Sequence, residues 1–386
     1  MKKIYPTEKF AALQTPFYYY DTELLQATLE TIKTEAGKHG NFVVHYAIKA
    51  NANPAILKII SSAGLGADCV SGGEIEIALK TGFAPSDIVF AGVGKSDWEI
   101  SLALDNGIFC FNVESLAELE VIDMLAGERG KTARVALRIN PDVDAHTHAN
   151  ITTGLAENKF GIALTDVDSV LVAMRNMTNV ELVGLHFHVG SQILDMSVFA
   201  ALCDRINEIQ DNLKANGITV PNINVGGGLG IDYVSPENTP VPDFKSYFDC
   251  YAKHLKLGAD QKLHFELGRA VVGQCGTLVT RTLYVKQGTN KQFAIVDAGM
   301  TDLIRPALYQ AHHKIVNVSS TGPCETYDVV GPICESSDVF GKSEELNKVS
   351  RGDLIAIMSA GAYGEIMASQ YNCRALPKGY LSSELK

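Results

Sequence analysis

Apolar, β-branched runs begin near Phe42, Leu65, Ile88, Ile108 and Val135, and a helical pattern fills each gap between them. A period of roughly twenty residues in which strand and helix alternate builds a parallel sheet rather than a set of hairpins. The helix starts are marked by chemistry as well as by period. Ser71 with Glu74, Ser96 with Glu99 and Ser115 with Glu118 each have the Ser-x-x-Glu spacing of a capping box, a few residues after a strand. The first helix opens instead with Asn53 as N-cap and Pro54 at its first position, and Gly64 stops it. Its Ile56, Ile59, Ile60 and Ala63 share one face, as a helix lying on a sheet requires.

Strands five to eight are expected at 134–139, 182–188, 223–225 and 263–266, with helices near 165–177, 197–215 and 243–256. Eight strand–helix units over about 250 residues predict a (β/α)8 TIM barrel; an open doubly wound sheet normally uses fewer strands. Beyond residue 276 the texture changes to strand-like runs at 278–285, 293–297, 327–330 and 354–358, separated by turns. The expectation is α/β: a barrel over 22–275 and an all-β domain over 276–386, completed by an N-terminal strand within 1–21 that includes Phe17–Tyr20.

Composition excludes several classes. With 46% hydrophobic and 20% charged residues the chain reads as globular, and a net charge of −11 argues against nucleic acid and anionic membranes as partners. No run of apolar residues is long enough to span a bilayer, and the stretch from Met1 to Phe10 lacks a signal peptide's apolar core, so a cytoplasmic protein is expected. The eight cysteines are scattered without a Cys-x-x-Cys spacing, which indicates neither a disulfide framework nor a zinc site.

Barrel enzymes place their catalytic groups at the C-terminal ends of the strands, and the loops after strands seven and eight often hold phosphate. Those positions here carry Lys49, Asp68, His188 with Ser191, Gly226–Gly228, and Glu266 with Arg269. A lysine ending an apolar strand is costly to desolvate as an ammonium, so Lys49 tends towards the neutral amine that a Schiff base needs; snorkelling to solvent is its structural alternative. The Gly226-Gly227-Gly228-Leu229-Gly230 run follows a strand and suits an anion, but Ile231 stands where a dinucleotide fingerprint needs glycine. Gly94-Lys95-Ser96 and Gly341-Lys342-Ser343 resemble Walker ends whose first glycine is replaced by Val89 and Ser336. His186 and His188 share one strand face without a third ligand at a supporting spacing, so no metal is expected. A lysine, an anion site, a histidine and a carboxylate at one barrel mouth are the groups that pyridoxal 5′-phosphate requires.

With these residues in place, the chain resembles the pyridoxal-phosphate-dependent decarboxylases of the alanine-racemase-like fold, the ornithine, arginine and diaminopimelate group, and most specifically the diaminopimelate branch. The likeness runs through 45–82, 138–144, 148–161, 186–192, 224–230, 266–269, 300–309, 331–338 and 360–372. It departs at Leu267, where the family usually has proline, and Glu365 stands where a less acidic residue is usual.

The resemblance implies that Lys49 carries the cofactor and that His188 stacks on its ring. Asp68 and Glu74 would be polar supports nearby, with Glu74 alternatively serving only its cap. Phosphate would be held by Ser191, Gly226, Gly227, Gly228, the backbone of Glu266, Leu267, Gly268 and Arg269, and Tyr363. Glu266 would sit at the pyridine nitrogen, where related racemases use arginine, and so favours decarboxylation. Cys334 matches the family's proton donor, acting with Glu335 on the other subunit of a homodimer. Arg269, Arg305, Tyr309, Tyr363 and Glu335 would bind substrate, the arginines taking carboxylate and Glu335 the distal ammonium. The implied reaction converts meso-2,6-diaminopimelate to L-lysine and CO2. Another basic amino acid or polyamine precursor on the same fold (ornithine, arginine, carboxynorspermidine) is the alternative, and a non-catalytic carrier of the cofactor or regulatory binding protein the remote one.

Overall fold

The strand–helix repeat closes on itself. In the computed structural model, which describes residues 5–143 and 159–385, eight parallel strands form a closed barrel. The chain divides into two compact units: Leu29–Gly230 with Asp243–Gly268, and Met1–Thr28 with Ile231–Pro242 and Arg269–Lys386. Strand β1 (Phe17–Tyr20) belongs to the second of these.

The barrel runs through β2 (Phe42–Ala47), β3 (Gly66–Cys69), β4 (Ile88–Phe90), β5 (Cys110–Val113), β6 (Ala133–Arg138), β7 (Val180–His186), β8 (Asn222–Asn224) and β9 (Lys262–Leu267). β9 returns to β2 in parallel register, with His45 opposite Glu266. All-parallel strands are covered on their outer side by the intervening helices, which is why they read as continuous apolar runs. In helix Pro54–Ser62 the buried face is Ile56, Leu57 and Ile60, each contributing about 2 kcal/mol of burial. Aromatic side chains fill the seam between the later helices: Phe199, Tyr247, Phe248 and Tyr251 pack edge-on against one another and Phe265.

The caps follow the sequence with one refinement. Asn53 accepts from Ala55 N–H, and Ser71 and Ser115 accept from Glu74 and Glu118 N–H. Only Glu99 closes its box on the N-cap, taking the N–H and hydroxyl of Ser96. Glu74 and Glu118 reach one residue further back, to the N–H of Val70 and Glu114, and so tie strand ends to helix starts.

In the second unit an eight-stranded sheet has the order β12-β15-β10-β11-β13-β14, with β1 added beside β10 and β16 beside β1. Its strands are β10 (Gly276–Gln287), β11 (Gln292–Val296), β12 (Ile315–Asn317), β13 (Cys324–Val330), β14 (Val339–Asn347), β15 (Leu354–Ile357) and β16 (Lys378–Leu381). β1 pairs antiparallel with β10 and parallel with β16, and Phe10, Phe17, Tyr19, Val279 and Leu354 form a core cluster there. A register break between Thr282 and Tyr284 lets the long β10 serve both halves of the sheet. The strands expected from 278, 293, 327 and 354 are present, while β12, β14 and β16 and the short helices Arg269–Val272 and Arg305–Tyr309 add to that expectation.

Candidate active site

Four strand ends of the barrel unit converge on two buried carboxylates. Lys49 lies one step beyond β2, in a 3-10 turn (Ile48–Ala50), and its Nζ donates to Asp68 Oδ2 at 3.1 Å. Its side chain is 41% exposed while that of Asp68 is fully buried. The desolvation expected of Lys49 from its apolar strand is therefore not found, because the chain turns at Ala47 and carries the amine towards a carboxylate and solvent. Burial raises the Asp68 carboxyl to about 6, the Glu266 charge adds to this, and Lys49 opposes both. Asp68 Oδ1 has no hydrogen-bond partner among the described residues.

Glu266, near the end of β9, accepts Nδ2–H of Asn112 at 2.9 Å and of Asn224 at 2.7 Å on Oε1. His186 Nε2 meets its Oε2 at 3.1 Å. Burial alone would raise this carboxyl, but His186, by charge and hydrogen bond, and the Lys49 charge hold it well below the carboxylate range. It stays ionised while its neighbour Asp68 is the one that takes up a proton.

His188, two residues beyond β7, is driven well below the ordinary imidazole value by burial and by the charges of Arg138 and Lys49. Its neutral ring accepts Gly227 N–H on Nδ1 at 3.3 Å, which suits a stacking face. Ser191 follows in the same loop, partly buried. Gly226 and Gly227 are demanded by close packing: a Cβ would lie 2.5 Å from His188 Nδ1 at 226 and 2.1 Å from Glu266 O at 227. Gly226, at φ +66°, donates its N–H to Asn224 Oδ1. Leu267 is buried and ends β9 opposite Tyr46, and Gly268 packs against Ala47 and Ala50. Glu74, beside this cluster, is raised to about 7 chiefly by burial, with the Val70 N–H opposing.

The barrel unit holds two further buried ion pairs. Glu114 accepts Arg138 Nη1 at 2.7 Å and the N–H groups of Gly92 and Gly161. Lys95, in the Walker-like triplet, is buried against Glu118 and donates to Gly92 O and Asn112 O, which explains it without a nucleotide. The family-like stretch 148–161 lies outside the described residues as far as residue 158, as does residue 144.

The second unit gathers the remaining candidates into two places. Arg269 and Arg305 are 5% exposed each. Arg269 Nη1 donates to Tyr233 Oη at 2.6 Å and its guanidinium lies 5.0 Å over the Tyr363 ring. Arg305 lies 5.4 Å over Tyr233 and 5.8 Å over Tyr309, and its Nε donates to His313 Nε2 at 3.3 Å. His313 Nδ1 in turn donates to Met358 O, and burial and Arg305 push this imidazole down to about 3, so it is neutral and free to accept at Nε2. Burial and the Arg269 charge lower Arg305, Tyr233 opposing them. No carboxylate lies within ion-pair distance of Arg305 among the described residues, a buried cation suited to an anionic ligand. Cys334 and Glu335 are exposed on a separate loop, where Asn372 Oδ1 accepts Cys334 N–H and Glu335 Oε1 accepts the Tyr371 hydroxyl. Glu365, unexplained from sequence, accepts the Tyr20 hydroxyl and ties the segment after Tyr363 to β1.

Tyr233, His313, Asn112, Asn224 and Glu114 went unassigned in the sequence reading. Asn112 and Asn224 lie at the ends of their strands, but a neutral amide there carries no signal of its own, and Tyr233 and His313 have none either.

The barrel donor set fits pyridoxal phosphate: an amine on Lys49, an ionised buried carboxylate on Glu266, a neutral ring on His188, and in Asp68 Oδ1 a buried oxygen still able to accept. Comparison with known proteins agrees. The family model for the pyridoxal-dependent decarboxylases, pyridoxal binding domain, matches residues 24–273. Diaminopimelate decarboxylase of Bacteroides thetaiotaomicron is 68% identical across the whole of both chains. That of Helicobacter pylori (strain J99) is 43% identical, over 95% of this chain and 90% of its own. A crystal structure of the Helicobacter pylori enzyme complexed with L-lysine superposes with a TM-score of 0.90 at 42% identity, covering 97% of this chain and 93% of that one.

Proposed function

Because the chain belongs to the pyridoxal-dependent decarboxylase family, we infer that it removes CO2 from meso-2,6-diaminopimelate to give L-lysine, with pyridoxal phosphate as cofactor. The observation that carries this reading is Glu266, buried at a strand end and held ionised by N–H donors of Asn112, His186 and Asn224. When bound, the cofactor supplies an electron sink for the carbanion left by CO2. Lys49 is its attachment point, and Asp68 orients that amine through their hydrogen bond. Glu266 holds negative charge for the ring nitrogen, and His188 offers its ring as a stacking face. Phosphate binding is assigned to Ser191, the Gly226–Gly228 turn, the Glu266–Arg269 backbone and Tyr363.

Arg269, Arg305, Tyr309, Tyr363 and Glu335 are the proposed substrate contacts. Diaminopimelate carries a distal carboxylate that ornithine lacks, and the buried Arg305, without a carboxylate partner among the described residues, supports the former. Cys334 is the proposed proton donor, acting with Glu335 in the site of the other subunit of a homodimer. We take 22–275 as the cofactor-binding domain and 276–386 with 1–21 as the β domain, close to the span the family model matches. No helix among the described residues is long and apolar enough to cross a membrane, and a cytoplasmic location is proposed.

Incubation of the purified protein with pyridoxal phosphate and diaminopimelate, ornithine, arginine or carboxynorspermidine tests the reading. Lysine and CO2 should form from diaminopimelate with the highest kcat/KM; preference for another substrate overturns the assignment. Mixing Lys49→Ala with Cys334→Ala subunits should restore up to roughly a quarter of parent activity, since only mixed dimers regain one whole site. No recovery on mixing would sink the shared-site arrangement.

A further inference from the structure

The residues around Glu266 form a closed set of donors from three different strands. Asn112 ends on β5, His186 on β7 and Asn224 on β8, and each points an N–H at the same carboxylate. The chain orients the amide of Asn224. Asn224 Oδ1 is occupied by Gly226 N–H, so its Nδ2 faces Glu266. Asn112 is braced through its backbone carbonyl, which accepts from Lys95 Nζ at 2.8 Å, while its own Oδ1 has no partner among the described residues. His186 Nδ1 is also buried without a partner there, so the ring's interaction with Glu266 at Nε2 is its one hydrogen bond among these residues.

Three N–H donors on one buried carboxylate lower its basicity, because each hydrogen bond is lost in part when the oxygen is protonated. They also leave capacity for one more donor, since a carboxylate offers about four lone-pair sites.

Building on the family reading, we propose that Asn112, His186 and Asn224 are positioning residues that keep Glu266 a weak base. A proton shared with the cofactor's ring nitrogen then stays on the nitrogen. This sets the electron demand of the ring through residues that touch neither substrate nor the departing CO2. Other titratable groups facing Glu266 are Lys49, Asp68 and His188 at the mouth, and His45 and His264 deeper on β2 and β9. Burial pushes both deeper imidazoles down, His264 to about 3, and both are unchanged in the variants below. Lys49 and Asp68 are common to all the variants below.

The experiment loads the protein with pyridoxal phosphate labelled with 15N in the ring and reads the nitrogen's protonation by NMR, apart from any turnover. In the parent the nitrogen should be protonated from pH 6 to 8. In Asn112→Ala and His186→Leu the ratio of protonated to unprotonated nitrogen should fall by about tenfold each, the worth of one hydrogen bond to a charged group. His186→Gln, which keeps a neutral donor, should restore most of it. Asn112→Ala deletes a side chain whose oxygen has no partner, so it remains informative if His186→Leu does not fold. Protonation unchanged in the variants overturns the proposal, and so does a His186→Gln protein that behaves like His186→Leu. Failure of the family reading is distinguishable: the parent itself would then bind no pyridoxal phosphate and yield no borohydride-fixed adduct on Lys49, which overturns the proposal with it.

Discussion

The barrel mouth and the arginine cluster of the second unit handle buried charge in opposite ways. At the mouth the chain answers its own charges: Lys49 meets Asp68, Arg138 meets Glu114, Lys95 meets Glu118, and Glu266 collects three neutral or basic donors. In the second unit Arg305 is met by aromatic faces and by a histidine nitrogen, none of which carries negative charge. Removing one partner of a buried pair leaves an uncompensated charge that costs several kcal/mol. A guanidinium left in that condition by the fold itself is compensated when an anion arrives. The mouth is thus built to fix a charge state in advance, and the arginine cluster to recognise one.

The largest effect expected from this contrast is at Lys49. Lys49→Ala removes the only proposed attachment point, and CO2 release from diaminopimelate should fall on the order of 10⁴-fold or more. Borohydride treatment followed by mass spectrometry should find no fixed cofactor. Measurable turnover with a fixed adduct on another lysine would break the assignment of the mouth.

Next comes Arg305→Ala. If Arg305 grips the distal carboxylate, kcat/KM for diaminopimelate should drop by about 3 kcal/mol, on the order of 10²-fold. The residual kcat/KM for ornithine, which has no such carboxylate, should hardly move. Equal losses on both substrates would show that Arg305 supports the fold rather than recognising an anion, and the contrast between the two regions would collapse.

Much of both regions could be read from the sequence, and the parts that could not share a physical reason. The barrel was legible because its first strands are largely apolar runs and the helices after them start at the caps Asn53, Ser71, Ser96 and Ser115. Lys49, Asp68, His188 and Glu266 were legible because strand ends in such barrels carry chemistry. β14 was not: it carries Lys342, Ser343, Glu344 and Glu345, and only Phe340 and Leu346 are buried along it. β12 has three residues, too few to show a period. Asn112 and Asn224 were missed because a neutral amide at a strand end looks like any turn residue until its partner is known. Tyr233 and His313 come from loops far apart in sequence, and only the fold brings both to Arg305. Lys49 takes the snorkelling alternative because the strand ends at Ala47, two residues before it, and the chain turns there.

The smallest effect concerns the mouth's cost of fixing charge, and its sign can be worked out. Burial raises Glu74 from 4.5 to about 7 and Asp68 from 3.8 to about 6. In those windows the folded protein holds protons that the unfolded chain has released, so stability falls as pH rises through them and is flat above. Glu74→Gln keeps an oxygen for the Val70 N–H but cannot ionise. The cofactor-free variant should therefore be more stable than the cofactor-free parent by about 3 kcal/mol at pH 8, with the difference vanishing towards pH 4. Urea titrations at the two pH values measure it. A variant less stable at pH 8 would mean that the Glu74 carboxylate is welcomed by its surroundings and that the mouth bears no such cost. If the difference appears as predicted, Asp68→Asn should extend it to lower pH, because its window lies below that of Glu74.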